Sequence, residues 1–253
     1  CWRQQCDTPI VAITGSNGKT TVKEMCAAIL SEAGEKLATR GNFNNDIGMP
    51  LTLLRLQKTD RYGVIEMGAN HVGEINYLTN IARPDVALVN NAGAAHLEGF
   101  GSLENIAKAK AEIYNGLSEN GIAVINQDDD FASFWRDYCS AIKTVSFSML
   151  DESADIFAKC IDDNHYQIIS KSERADLRLK VPGKHNVMNA LAATAVTLSL
   201  ELQLQAIVKS LSEFENIQGR LTVRSSAAGY QLIDDSYDAN PLSVTVDSDV
   251  LPE

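Results

Sequence analysis

No stretch of this chain holds the roughly 20 consecutive apolar residues needed to cross a bilayer, and its opening Cys-Trp-Arg-Gln-Gln lacks the charged-then-apolar layout of a signal peptide. A cytoplasmic protein with no membrane insertion is expected. Basic residues are in deficit: 22 Lys and Arg stand against 33 Asp and Glu, a formal charge of -11 that repels nucleic acid and anionic bilayers alike. Nucleic acid is therefore not expected as a partner, although a local basic cluster could still take a charged substrate. The five cysteines, Cys1, Cys6, Cys26, Cys139 and Cys160, are odd in number and include no Cys-x-x-Cys, which fits neither a disulfide framework nor a zinc site. They read as reduced thiols. Internal repeats, low-complexity tracts and an Asn-Lys-x-Asp guanine signature are all missing, and the last absence argues against a GTPase. What remains is an ordinary core composition, 45% hydrophobic over 253 residues, enough for one large domain or one plus a smaller one.

Against that background one segment stands out. Gly15-Ser16-Asn17-Gly18-Lys19-Thr20-Thr21 follows the apolar run Ile10-Val11-Ala12-Ile13 and opens an amphipathic stretch, so a glycine turn sits where a buried strand becomes a helix. Glycines let backbone N–H groups approach an anion, the helix N-terminus adds positive potential, Lys19 can reach terminal phosphates and the Thr20 hydroxyl can ligate Mg²⁺. The strict phosphate-loop pattern wants a glycine five residues before Gly18; that position is Ile13, so the loop is a shorter variant, Gly-x-x-Gly-Lys-Thr. Gly-x-x-Gly alone would more readily be a plain strand-to-helix turn, and Lys19-Thr20 reverses that reading. Lys19, placed against the macrodipole, favours an anion, and the expected ligand is a nucleoside triphosphate, most simply ATP.

From residue 10 to about 147 apolar runs alternate with helical patterns. Strands are expected at 10–14, 62–67, 85–90, 122–125 and 143–147, and helices at 20–33, 72–81, 103–117 and 130–139. Such alternation predicts an α/β fold with a mostly parallel sheet flanked by helices, whose ligands gather beyond the carboxyl ends of the strands. Between 154 and 181 the pattern changes to β-branched alternation, at 156–161, 166–170 and 177–181, which reads as a small antiparallel addition. Helices at about 185–200 and 204–214 and strands at 221–225 and 231–234 complete the reading.

Several polar residues fall at those strand ends. Glu66 closes a strand just before Gly68, where its carboxylate is either a magnesium ligand or a surface or capping group. His96 follows another strand and, as a lone histidine, could equally be structural. Lys108 and Lys110 read by composition as solvated surface lysines. Asn42, Asn44, Asn45 and Asp46 suit either holding substrate oxygens or capping a helix that begins near Ile47. Gly183-Lys184-His185-Asn186 with Asn189, Gly219-Arg220, and 234–241 add groups able to meet a base, phosphates or an incoming domain.

Together the segments Thr14 to Glu24, Gly41 to Gly48, Glu66 to His71 and Ala95 to Ser102 resemble the Mur ligases of peptidoglycan synthesis, over about residues 9–242. Within that family the asparagine-rich and His-Leu-Glu-Gly segments are most similar to the members that add D-alanyl-D-alanine to the UDP-N-acetylmuramoyl tripeptide. The resemblance implies three domains, of which this chain would be the central ATP-binding one at 1–240, with 241–253 starting a hinge to a C-terminal domain. The chain opens without methionine and ends at Leu251-Pro252-Glu253 soon after that motif, so a fragment is expected.

Carried over residue by residue, the resemblance implies that Lys19 stabilises the β and γ phosphates. Thr20 and Glu66 would bind Mg²⁺, and His96 would serve a second Mg²⁺. Lys110 matches a lysine that is carbamylated in relatives and so becomes an anion able to support that metal, against its reading as a surface residue. Asn189 and Arg220 look like nucleotide contacts. Asp238 stands where the family more often has asparagine, and 244–250 is too rich in β-branched and short polar residues for the helix expected there. The implied reaction is ATP-driven amide formation through an acyl phosphate, by a monomer; the fragment alone would bind nucleotide and ligate nothing. A sister ligase, a folylpolyglutamate synthetase or a non-catalytic nucleotide-binding module are the rival readings.

Overall fold

The computed structural model describes residues 2–94, 97–171, 173–181 and 183–215, with 97–98, 222–225 and 231–234 described in backbone only. His96, Arg220 and the hinge expected at 241–253 lie outside the described residues.

A short 3-10 turn, Trp2–Gln5, precedes β1 (Ile10–Thr14), α1 (Lys19–Ser31), β2 (Lys36–Ala38), α2 (Gly48–Leu53), β3 (Tyr62–Glu66), α3 (Glu74–Ala82) and β4 (Val86–Val89). Then come α4 (Leu97–Phe100), α5 (Leu103–Ala111), a 3-10 segment Glu112–Gly116, β5 (Ile122–Asn126), α6 (Ala132–Tyr138), β6 (Lys143–Ser148), β7 (Ile156–Asp162), β8 (His165–Ser170) and β9 (Arg174–Arg178). The helices α7 (Lys184–Ser199) and α8 (Leu204–Glu213) follow, and β10 (Thr222–Ser225) pairs antiparallel with β11 (Gln231–Asp234).

Nine strands form one sheet in the order β2-β3-β1-β4-β5-β6-β7-β8-β9. Pairing is parallel from β2 to β7 and antiparallel from β7 to β9. The antiparallel addition expected from the sequence therefore extends the main sheet rather than standing apart from it.

All five residues of β1 are buried, because helices cover both faces of the sheet. Alternation then sorts its side chains: Val11 and Ile13 face one core, shared with α1, α7 and α8, while Ile10 and Ala12 face the other, shared with α2, α3, α6 and the Glu112–Gly116 turn. Helix α1 places Val22, Met25, Cys26, Ile29 and Leu30 in the first core, the i, i+3, i+4, i+7, i+8 spacing of one helical face. Burying each of the larger of these contributes about 1.5–3 kcal/mol, which holds α1, and so the loop before it, against the sheet.

Some boundaries move. The expected strand at 177–181 lies at Arg174–Arg178, because β8 supplies partners only as far as His165, opposite Arg178. Leu179 and Val181 continue the buried alternation beyond the ladder. The helix expected at 103–117 ends its α form at Ala111 and finishes as the 3-10 turn.

Candidate functional site

The chain leaves β1 toward β3 and β2 on one side, then crosses to β4 on the other, so β1 and β4 are neighbours whose following segments diverge to opposite faces. A crevice opens at such a switch point, beyond the carboxyl ends of the strands. The loop Gly15 to Gly18 follows β1 there, and Asn90 to Gly93 follows β4.

These two segments are laced together. Ser16 donates its N–H to the Asn91 carbonyl at 3.0 Å and its hydroxyl to the Gly93 carbonyl at 2.9 Å, while the Gly93 N–H returns to the Ser16 Oγ at 2.8 Å. Asn91 grips both backbone polar groups of Asn17, accepting from its N–H at 2.8 Å and donating to its carbonyl at 3.1 Å. Asn90 Nδ2 donates to the same carbonyl at 3.0 Å and to Asn189 Oδ1 on α7 at 3.1 Å, and Asn126 Nδ2 holds the Asn90 carbonyl at 2.9 Å. The amides of Ser16 and Asn17, which the sequence offers to a phosphate, are thus engaged by Asn91.

Gly18 ends the loop at φ +77, a left-handed conformation, and a Cβ there would sit 2.4 Å from Asn189 Oδ1 and 2.7 Å from Asn90 Nδ2. Only glycine fits. The first intrahelical bond of α1 runs from Val22 N–H to the Gly18 carbonyl, so the amides of Lys19, Thr20 and Thr21 are those a helix start presents to an anion. The Lys19 ammonium donates back to the carbonyls of Gly15 at 2.9 Å and Ser16 at 3.0 Å, arching over the loop.

Beside the loop, Thr20 Oγ1 donates to Glu66 Oε2 at 3.0 Å, and Asn44 Nδ2 donates to Glu66 Oε1 at 2.8 Å. Glu66 is 2% exposed, and both its oxygens are met, as a buried polar group requires. Its backbone is fixed too: Glu66 N–H donates to Thr39 Oγ1, and the buried Lys23 ammonium donates to the Thr39 carbonyl. Of the two roles left open for the asparagine loop, the structure displays the capping one, at Asn45, and gives Asn44 a third. Asn44 reaches Glu66, while Asn45 Oδ1 accepts from the Gly48 N–H at 2.8 Å and caps α2.

Lys110 corrects the surface reading. It is buried, on the face of α5 that carries Ile106 and Ala107, whereas Lys108 points to solvent. Burial pushes the Lys110 ammonium well below the usual lysine range, the nearby Lys19 charge pushes it further, and Asp129 opposes. Burial also raises the Asp129 carboxyl, against the bonds it accepts from the N–H groups of Phe131 and Ala92, both at 2.9 Å. Lys110 thus sits within the fields of both Lys19 and Asp129.

Of the residues singled out in the sequence, the structure brings together Gly15, Ser16, Asn17, Gly18, Lys19, Thr20 and Thr21 with Glu66, Asn189 and Lys110. His96 and Arg220 lie outside the described residues. Asn90, Asn91, Asn126, Thr39 and Asp129 were not singled out. The asparagines end or follow apolar strands, the position from which side chains enter such a crevice, and that placement is the signal that could have found them. Among the described residues no three His, Cys, Asp or Glu side chains gather as a metal-ligand set.

The Mur ligase middle domain matches residues 13–197 of this chain. The UDP-N-acetylmuramoyl-tripeptide–D-alanyl-D-alanine ligase of Escherichia coli K12 is 47% identical over 255 residues, covering 99% of this chain and 56% of the relative. The enzyme of the same name from Bacillus subtilis is 36% identical, covering 95% and 52%. Among solved structures, MurF from Acinetobacter baumannii superposes with a TM-score of 0.93 at 41% identity, over 97% of this chain and 54% of that one. MurF ligase from Thermotoga maritima in complex with ADP gives 0.85 at 30% identity, over 97% and 58%. The chain spans about half the length of the curated relatives it matches.

Proposed function

The chain belongs to the Mur ligase family through its middle domain, and from that premise we propose that it is the ATP-binding part of a ligase joining D-alanyl-D-alanine to a UDP-N-acetylmuramoyl tripeptide. The γ-phosphoryl of ATP would pass to the peptide carboxylate, and the dipeptide amine would then displace phosphate from the acyl phosphate. The observation that carries the reading is the Thr20–Glu66 contact at the mouth of the glycine loop, a hydroxyl and a carboxylate 3.0 Å apart beside a helix N-terminus.

That donor set fits Mg²⁺, which takes hard oxygens and usually one or two carboxylates, with phosphate and water completing its shell. Bound there, the ion would neutralise charge gathering on the phosphates. Thr20 and Glu66 are the residues we assign to it, with His96 and a carbamylated Lys110 serving a second. Gly15, Ser16 and Asn17 shape the loop. Gly18, Lys19, Thr20 and Thr21 turn their amides to the phosphates, and the Lys19 ammonium swings from the loop carbonyls to the β and γ oxygens. Asn189 and Arg220 are assigned to the nucleotide. Lys110, uncharged more readily than an ordinary lysine, is prepared to take up CO₂ as a carbamate.

Residues 1–240 are assigned to the central domain and 241–253 to a hinge. A monomer is the assigned oligomeric state. The free thiols of Cys6, Cys26, Cys139 and Cys160 suit a reducing, cytoplasmic location, and no helix among the described residues is long and apolar enough to cross a membrane.

The test is phosphate release by the complete protein. Release that requires ATP, tripeptide and dipeptide together supports the ligase; release with a single amino acid in place of the dipeptide indicates a sister ligase, and tight nucleotide binding without turnover a non-catalytic module.

A further inference from the structure

The two protons on Asn90 Nδ2 are both spent, one on the Asn17 carbonyl at 3.0 Å and one on Asn189 Oδ1 at 3.1 Å. A backbone carbonyl can only accept, so the carboxamide must turn its nitrogen to Asn17. Its Oδ1 is left buried with no hydrogen-bond partner among the described residues. A side chain that is 1% exposed and forgoes its acceptor is oriented by its two donations.

We infer that Asn90 is a positioning residue for the phosphate loop, acting through Asn17 and Asn189; the inference rests on the nucleotide reading above. A trans peptide is planar, with its C=O and N–H pointing oppositely. Holding the Asn17 carbonyl among the asparagines therefore turns the Gly18 N–H away from them. With one of its two donors gone and Asn91 alone holding it, that peptide is freer to tilt its carbonyl, a repulsive dipole end, toward a phosphate. Asn90 also ties the loop to α7, on which Asn189 stands 99 residues away in sequence. Asn91 does not duplicate this link: both its amide bonds go to Asn17. Because Asn91 still holds Asn17 when Asn90 is changed, the loop keeps its anchor to β4 and loses its tie to α7 together with one of the two bonds that fix the facing of the Asn17 carbonyl.

The experiment is calorimetric titration of the full chain with magnesium ADP and with AMP, alongside thermal melts, for the unaltered chain, Asn90→Ala and Asn90→Ser. The preference for ADP over AMP should fall about tenfold in Asn90→Ala, and by less in Asn90→Ser, whose hydroxyl restores one donor. A side chain that merely supports the fold would lower the melting temperature of both variants and leave that preference intact, which overturns the inference. Failure of Asn90→Ala to fold leaves the judgement to Asn90→Ser, where an unchanged preference overturns it equally. Absence of ADP binding by the unaltered chain overturns the nucleotide reading and this inference with it, whereas ADP binding with equal preference in all three chains overturns this inference alone.

Discussion

Thr20 and Glu66 are 46 residues apart in sequence and joined by a 3.0 Å hydrogen bond that ties the first turn of α1 to the end of β3. Glu66→Gln keeps an oxygen for the Thr20 hydroxyl and nearly the same volume, and a flip of the Asn44 amide turns its own oxygen to the new NH₂ group, so the unfolding transition should change little. The substitution removes the acidic group that these contacts set beside Thr20, the pair proposed to hold magnesium. ADP binding by the chain in magnesium should weaken by about tenfold or more, and the difference between magnesium and EDTA should vanish. Calorimetry reads both, and magnesium dependence surviving in the variant would move the metal elsewhere.

Gly18→Ala should damage stability and binding together. The left-handed φ of +77 costs an alanine about 1–2 kcal/mol, and its Cβ would lie 2.4 Å from Asn189 Oδ1. The clash pushes apart the carboxamides that meet over the loop. Urea unfolding should show a loss of at least the backbone cost, with ADP binding abolished. By contrast Gly41→Ala, at φ +52 with open space around its Cβ, should show the backbone cost and retain ADP binding.

The alternation of apolar runs and helical stretches made the sheet and the loop after β1 legible, because a strand buried on both faces and a helix buried on one leave different periods. Short elements left no such trace. β2 has three residues, and α2 carries Pro50 near its start, where Gly48-Met49-Pro50 reads as readily as a turn. Lys110 shows the limit of composition: a lysine counts as surface until its spacing is weighed, and Ile106, Lys110 and Ile113 follow one another at steps of four and three on a buried face. The asparagine contacts were illegible for another reason. Asn17, Asn90, Asn126 and Asn189 belong to four separate segments, and only the sheet order makes them neighbours.

Helix α3 has no cap from its own N-terminal residue, Gly73; Glu112, which begins the turn after α5, supplies it from a distance. Its carboxylate accepts from the N–H of Gly73 at 2.9 Å and of Asn76 at 3.0 Å, placing negative charge on the positive end of the helix. Glu112→Ala should cost about 1 kcal/mol, the usual value of a lost N-cap, and Glu112→Gln less. Urea midpoints at low and high salt test this, since the charge contribution shrinks with screening and the hydrogen bonds do not. Equal stability of all three chains would refute the cap.

The buried Lys110 gives stability a defined pH dependence. Its folded-state value lies well below the 10.5 of a free lysine, so between the two values the unfolded chain binds the extra proton. Stability therefore rises with pH across that window, by up to about 1.4 kcal/mol per unit, and the penalty is complete once pH falls below the folded value. Lys110→Met, which fills similar volume without a charge, should flatten the slope in CO₂-depleted buffer and make the chain more stable at neutral pH. Adding ¹³C-bicarbonate then tests the amine directly. Its neutral nitrogen attacks the carbon of CO₂ and releases a proton, giving a carbamate whose ¹³C resonance should grow with pH, be present in the unaltered chain and be missing from Lys110→Met. A slope shared by both chains would show that Lys110 is charged in the folded state, and no carbamate should then form.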